Sequence, residues 1–156
     1  MPATPQTAPL DATDLDIVAA LTADGRMSVN ELAQRVSVSR ATAYARLERL
    51  RASGVIRGFT VVVDPAKLGL PLTALILLNV DQHGWRALSD ELMHLPGVEY
   101  LALTSGEFDM VLLVRVPDVA ALRDVVLVKL TAMPEIRTTR TIFVLDEQRP
   151  PWGRAG

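Results

Sequence analysis

Cysteine is absent from the 156-residue chain, so neither a disulfide framework nor a thiolate metal site can be built from it. That fits a reducing compartment. Aromatic residues make up 4% of the chain and only two histidines occur, His83 and His94. These two lie at opposite ends of one expected helix without ligand-spaced companions, so no metal site and no cofactor is expected. There is no Gly-rich phosphate loop and no Ser/His/Asp set with nucleophile spacing, so no catalytic residue is assigned. The longest apolar run, 72–80, is interrupted by Thr73 and Asn79. It falls far short of the roughly 20 residues that span a bilayer. The segment MPATPQTAPL has no positive charge and no apolar h-region, so it does not read as a secretory signal. A cytoplasmic protein that makes no membrane contact is expected.

What is present is a substantial apolar fraction, 49%, with 22% charged residues. This is enough for one ordinary domain or two small ones. The net charge of −2 is unevenly spread. Between 35 and 57 stand six arginines (Arg35, Arg40, Arg46, Arg49, Arg51 and Arg57) against the single acid Glu48. From Val61 onward acids outnumber bases. Basicity concentrated on one element is what phosphate binding requires.

Residues 1–9 are rich in Pro, Thr and Ala and are expected to form a disordered tail. A first helix should begin near Asp11, whose carboxylate can cap free N–H groups, with Leu10, Ile17, Val18 and Leu21 on one face. Gly25 permits the turn after it. Ser28 and Glu31 form a Ser-x-x-Glu capping box that opens a second helix, buried through Val29, Leu32, Ala33 and Val36. After a turn at Ser37-Val38, Ser39 caps a third helix in which Ala43, Leu47 and Leu50 face inward. At 100° per residue the opposite face carries Ala41, Thr42, Ala45, Glu48 and Arg49, flanked by Arg40 and Tyr44. Gly54 takes the left-handed cap position. The β-branched run 55–63 predicts a linking strand. The segment 28–56 thus has the build of a DNA-reading helix-turn-helix, in which small residues allow close approach and flanking Arg and Thr reach bases and phosphates. Ser39, Arg40, Ala41, Thr42, Tyr44, Ala45, Arg46 and Arg49 are the expected DNA-binding residues. Arg46 sits near the edge of the buried stripe, where it can either hold the helix down or reach a phosphate.

The remainder alternates in type. A strand over 72–81, a helix over 84–95 with Leu88, Leu92 and Leu95 on one stripe, and strands over 98–104 and 108–116 are expected. Asp118 should cap a helix running to about Met133, buried through Leu122, Val125, Val126 and Leu130, before a last strand over 136–145. The order βαββαβ is that of the ferredoxin-like split-βαβ sandwich. The fold class is therefore α+β: a disordered tail 1–9, a helix-turn-helix domain with linking strand 10–64, a hinge 65–71, a ferredoxin-like domain 72–146 and a tail 147–156. A four-stranded sheet covered by helices on one side leaves a second apolar face. Phe143 and Leu145, or Leu101 and Leu103, cannot all lie under the same helices, which points to an interface. The turn Thr104-Ser105-Gly106-Glu107-Phe108-Asp109 reads either as a hairpin with Gly106 at positive φ, or as a small-ligand site in which Asp109 holds an amine. Trp85 and Trp152 read as packing residues, Trp152 having a tail position from which it could dock on a partner.

With these residues in hand, the chain resembles the Lrp/AsnC (feast/famine) family of transcriptional regulators. The resemblance rests on Leu10-Asp11-x-x-Asp14-x-x-Ile17, Gly25-Arg26-x-Ser28-x-x-Glu31-Leu32-Ala33, Val38-Ser39, Arg46-Leu47-x-x-Leu50, Gly54-Val55-Ile56-x-Gly58, Val63-Asp64-Pro65-x-x-Leu68-Gly69 and Gly106-x-x-Asp109. It implies a winged or simple helix-turn-helix and an effector-binding second domain. It also implies a homodimer joined sheet to sheet, assembling further into an oligomer such as an octamer. The partners it implies are double-stranded DNA and an amino-acid or related effector, held near Thr104, Ser105, Gly106, Phe108 and Asp109. Two other classes compete. Sirohaem decarboxylases share the two-domain layout, but a tetrapyrrole pocket needs cationic and imidazole groups, and two histidines are a poor supply. RNA-recognition motifs are also βαββαβ, but they stack bases on sheet aromatics, whereas aromatics are 4% here and the central strands lack paired Phe or Tyr.

Overall fold

A computed structural model describes residues 9–81 and 85–148. The tail 1–8, His83, Gly84 and the tail from 149 with Trp152 lie outside the described residues. The chain divides into two compact units between Val62 and Val63, upstream of the expected hinge.

The first unit holds three helices. α1 (Ala12–Ala23) starts at Asp11, whose carboxylate accepts from the Asp14 N–H while the Asp14 carboxylate accepts from the Asp11 N–H. This is a reciprocal capping box made of two aspartates. α2 (Val29–Arg35) opens on the expected Ser28–Glu31 box, the two bonds measuring 3.3 and 2.8 Å. Ser37 turns the chain at a φ of 56°, an uncommon left-handed conformation for a residue with a side chain. It lets the Val38 N–H reach the Ala33 carbonyl at 2.9 Å, and α3 (Arg40–Ala52) follows at once. Ile17, Ala20, Leu21, Leu32 and Leu50 form the core, with Val18, Val36, Leu47 and Ile56 packed on it. Leu10 is excluded, standing exposed before the helix.

The run 55–63 does not form the expected strand. No strand among the described residues pairs with it, and Val61 and Val62 are 78% and 99% exposed. Its β-branched composition favours extended backbone, but a ladder needs a neighbouring strand, and the three helices supply none. Within the expected hinge, residues Ala66–Leu68 coil into a 3-10 turn, with Asp64 accepting from the Ala66 N–H.

The second unit is the βαββαβ arrangement: β1 (Leu72–Val80), α4 (Trp85–Met93), β2 (Val98–Leu103), β3 (Met110–Val116), α5 (Val119–Arg123) and β4 (Ile136–Phe143). The strands form one antiparallel sheet in the order β2-β3-β1-β4. Ala74, Ile76, Leu78 and Val80 of β1 and Met110, Leu112 and Val114 of β3 meet Leu88, Leu92, Leu122, Val125 and Leu130 in a single core. Asp118 caps α5 as expected, but the helix does not run unchanged to Met133. After Arg123 it widens into a π-helical segment, Asp124–Lys129, then tightens into a 3-10 turn, Leu130–Ala132. The buried residues Val125 and Leu130 are five apart, and the wider turn keeps both on the core side. Leu127 and Val128 are thereby left exposed. At the α4–β2 turn Gly97 has a φ of 80°, and a Cβ there would collide with the Arg115 carbonyl oxygen.

The open face of the sheet is not where the sequence suggested. Phe143 pairs with Ala74, Leu101 with Leu112 and Leu103 with Met110, so these three belong to the helix-covered side, and Leu103 and Phe143 are exposed only at its rim. Leu145 lies beyond β4 altogether. The period of two puts the alternate residues on the bare side: Leu75, Leu77, Val111 and Leu113, with Tyr100, Leu113, Leu75 and Ile142 in one row across the sheet. One end of this face is closed by Arg115, whose guanidinium bonds Glu99 at 2.7 Å, Thr73 at 2.8 Å and Glu147 at 2.5 Å. Burial opposes its charge, but the bonds to Glu147 and Glu99 outweigh that and hold it above its ordinary value.

Candidate nucleic-acid interface and effector pocket

The outer side of α3 is built as its spacing predicted. Ala43 and Leu50 are buried, and the exposed side carries Arg40, Ala41, Thr42, Tyr44 and Ala45. Ser39 caps the helix, its hydroxyl accepting from the Thr42 N–H at 3.1 Å and lying 2.8 Å from the Thr42 hydroxyl. Thr42 is therefore oriented while remaining exposed. Ala41, Thr42, Ala45, Arg46 and Arg49 line an open hollow of about 460 Å³. Small side chains at its floor leave room for a base edge or a phosphate, as close groove approach needs.

Two of the arginines are tied within the protein, Arg46 in the helix-holding alternative that its place at the edge of the buried stripe left open. Arg46 bonds both Asp11 oxygens, at 2.6 and 2.7 Å, and Asp14 at 2.9 Å. Arg49, expected to point at DNA from a face turned away from the core, bonds Asp14 at 2.5 Å and leaves the rest of its side chain half exposed. Asp14 itself is fully buried. Burial works to raise its pKa, but the Asp11 N–H and the Arg46 and Arg49 guanidiniums prevail and hold it below the usual carboxylate range. Asp11 is likewise lowered, first by its bond to Arg46 and then by the Asp14 N–H. A third arginine, Arg51, pairs with Glu48 at 2.9 Å. The two aspartates were missed because the charge tally began at Arg35. Their signal was the pair of carboxylates three residues apart at the mouth of α1, which can cap that helix and still offer oxygens across it.

The second site lies at the end of the sheet. Thr104 and Asp109 line a cavity of about 330 Å³ together with Val80, Trp85, Leu103 and Met110. Of the five expected ligand residues, Ser105, Gly106 and Phe108 do not line it. Gly106 has a φ of 129° with open space around it, so it serves the turn. Phe108 lies under the Arg140 guanidinium at 5.3 Å from its ring centre. Asp109 is already at work in the framework: its Oδ2 accepts from the Val80 N–H, its own N–H donates to the Leu78 carbonyl, and its carbonyl accepts from the Thr104 N–H, each at 2.9 Å. One carboxylate oxygen is thus committed. Val80, Met110, Leu103 (expected at the uncovered sheet face) and Trp85 (expected in packing) carried no sequence signal for a pocket. Trp85 is 39% exposed at the pocket rim, with Arg86 stacked over it at 5.2 Å. His94, just past the end of α4, hydrogen bonds the Asp90 carbonyl at 2.6 Å. Among the described residues no cluster of three potential metal ligands occurs. No helix among them is long and apolar enough to cross a membrane.

Comparison with known proteins assigns both halves. Residues 10–57 match a family model described as a winged helix-turn-helix DNA-binding domain, and residues 73–151 match the Lrp/AsnC ligand binding domain. The proline dehydrogenase transcriptional activator of Rhizobium radiobacter is 35% identical over 140 residues, covering 88% of this chain and 90% of that protein. The leucine-responsive regulatory protein of Escherichia coli K12 is 31% identical over 141 residues, covering 88% and 86%. Among solved structures, a transcriptional regulator from Neisseria meningitidis in complex with L-Met superposes with a TM-score of 0.86 at 26% identity, covering 93% of this chain and 96% of that one.

Proposed function

The chain belongs to the Lrp/AsnC family of transcriptional regulators, whose named members are regulators rather than enzymes, and on that footing we propose how its parts divide the work. Residues 10–64 form the DNA-binding domain, 65–71 the hinge and 72–146 the effector and dimerisation domain. Double-stranded DNA is contacted by Arg40, Ala41, Thr42, Tyr44 and Ala45, with Ser39 setting Thr42 and with Arg46 and Arg49 lining the hollow. The observation that carries this reading is that exposed strip of α3. It offers donors and small residues side by side and stands on a core of rigid helices, as groove recognition requires.

The effector is an amino acid or a related small molecule. Support comes from the cavity at Thr104 and Asp109, which pairs an apolar wall with a carboxylate and a hydroxyl. The L-Met bound to the Neisseria regulator points the same way. The bare apolar side of the sheet, Leu75, Leu77, Val111 and Leu113, favours a homodimer joined through it, and higher assembly such as an octamer is consistent with the family. Effector binding then acts by favouring one assembly state and so one spacing of the α3 helices. The setting is the cytoplasm.

The test is fluorescence anisotropy of the full chain with duplex DNA from upstream of its own gene, across a salt series. Binding should weaken steeply as salt rises, as release of counterions from neutralised phosphates demands. Absence of binding to any duplex, or affinity indifferent to salt, would sink the proposal.

A further inference from the structure

The four charges at the α1–α3 crossing deserve a role of their own, and we infer that Asp14 is a positioning residue for DNA reading: it fixes the Arg46 and Arg49 guanidiniums in one orientation at the hollow of α3. The inference rests on the DNA-binding reading above. Asp14 is fully buried, yet it lies on α1, away from the face that would meet DNA. Its Oδ1 takes Arg46 at 2.9 Å and its Oδ2 takes Arg49 at 2.5 Å, while Asp11 takes Arg46 a second time.

Two features separate positioning from simple attraction. First, Asp11, Asp14, Arg46 and Arg49 sum to zero formal charge, so the cluster adds no net pull on the phosphate backbone. A face tuned only for affinity would leave both arginines unopposed. Second, each arginine uses a single terminal nitrogen in these bonds, NH1 of Arg46 and NH2 of Arg49. A guanidinium has five N–H donors in a rigid fork, so most of the fork stays available after one arm is tied. Tying one arm removes rotamer freedom that an unattached arginine would lose on binding, which is how preorganisation sharpens recognition. Asp14 is thus placed to trade non-specific attraction for a fixed reading geometry.

The experiment uses the full chain and duplexes selected from a random pool by the wild type, with a scrambled duplex of equal length as the non-specific partner. Asp14→Asn, Arg49→Lys and their combination are compared by anisotropy, with Asp16→Asn, an exposed charge change on the same helix, as control. Asp14→Asn should bind the scrambled duplex more tightly and steepen its salt slope by about one, because one more positive charge is unopposed. Its ratio of specific to non-specific affinity should nevertheless fall about tenfold. Asp16→Asn should leave the ratio unchanged. In the Arg49→Lys background Asp14→Asn should cost the ratio little more, since coupled residues are not additive. An unchanged ratio in Asp14→Asn, or full additivity with Arg49→Lys, overturns the inference. Should Asp14→Asn fail to fold by circular dichroism, Asp14→Glu is read instead. It keeps the charge and moves the carboxylate by one methylene, so its ratio should fall with non-specific affinity unchanged, and a wild-type ratio overturns the inference. A wild type that selects no sequence would overturn the DNA-reading proposal itself, which is a different result from a selective wild type with an equally selective variant.

Discussion

Replacing Asp109 tests framework and recognition separately, because its two carboxylate oxygens have different surroundings. Oδ2 accepts the Val80 N–H at 2.9 Å, and Val80 is 5% exposed. Alanine at 109 would leave that donor without a partner in a place water reaches poorly, at a cost of about 1–3 kcal/mol. Asparagine keeps an acceptor oxygen for Val80 and removes only the charge. For a unit of about 85 residues, each kcal/mol lowers the melting temperature by roughly 4–8 °C. Asp109→Ala should therefore melt on the order of 5–20 °C below wild type, and Asp109→Asn within a few degrees of it.

The ligand arm of the same experiment is a thermal-shift panel of amino acids. At an effector concentration of about 100 Kd, binding stabilises the wild type by roughly 2.7 kcal/mol. Loss of a charge-assisted bond to the effector's amine removes about 1.5–3 kcal/mol of affinity. At the same concentration the stabilisation of Asp109→Asn should then drop to about half or less, although the variant is folded. An Asp109→Asn protein that shifts as far as wild type would show that the carboxylate does not hold the effector. An Asp109→Ala protein that melts with wild type would show instead that the Val80 bond contributes nothing, and the framework argument would fall. If no amino acid moves the wild type, the amino-acid assignment of the pocket is wrong.

Acid should loosen the first unit through Asp11 and Asp14. Their folded pKa values lie below the ordinary 3.8, so their contribution is complete above the unfolded value and is lost as pH falls through the folded ones. Urea midpoints followed by helix circular dichroism from about pH 6 to about pH 2.5 should fall on the acid side, and less so in Asp14→Asn; an identical acid slope in the variant would refute the assignment. Leu113→Asp places a charge in the centre of the bare sheet face, opposite Leu75. Light scattering after gel filtration should report a monomer with native circular dichroism, and an unchanged mass would remove that face from the interface. Gly97→Ala meets both a φ of 80° and the Arg115 carbonyl oxygen. It should cost more than about 2 kcal/mol by denaturant unfolding, whereas a near-neutral result would mean the turn relaxes freely.

How far the sequence could be read depended on whether the deciding information was local. Capping boxes, the inward set Ala43 and Leu50, and the βαββαβ order are written in residues a few positions apart, and each was legible. The π-helical turn was not, because Leu122, Val126 and Leu130 are an acceptable helical stripe on paper and only burying Val125 in the same core as Leu130 requires the wider winding. The bare sheet face was expected, but its residues were misassigned. Which of two alternating sets faces the helices depends on register, and a shift of one residue exchanges every side chain between the faces. Ala74 opposite Phe143 settles that parity, and no hydropathy pattern in β4 could have done so. The 55–63 strand failed for the opposite reason: its local preference was clear, but pairing is a property of two segments, and its unit contains no second one.

The same distinction bears most on the DNA-reading face. Counting charge along 35–57 gave six arginines and one acid, and the inference to a basic surface was sound as far as it went. The fold then brings two acids from 35 and 32 residues upstream onto Arg46 and one of them onto Arg49. What the sequence presents as a run of positive charge is, in three dimensions, two populations. Arg40 stands exposed beside Tyr44 and Thr42, without an ion pair among the described residues, and can respond to phosphate wherever it is met. Arg46 and Arg49 are already neutralised and aimed. A regulator must find DNA and then discriminate among sequences, and these are different electrostatic tasks: the first is served by mobile, unopposed charge and the second by charge whose direction is fixed. Substituting Arg40 should thus lower affinity for all duplexes alike, whereas releasing Arg46 and Arg49 from Asp14 should raise non-specific affinity and erode choice.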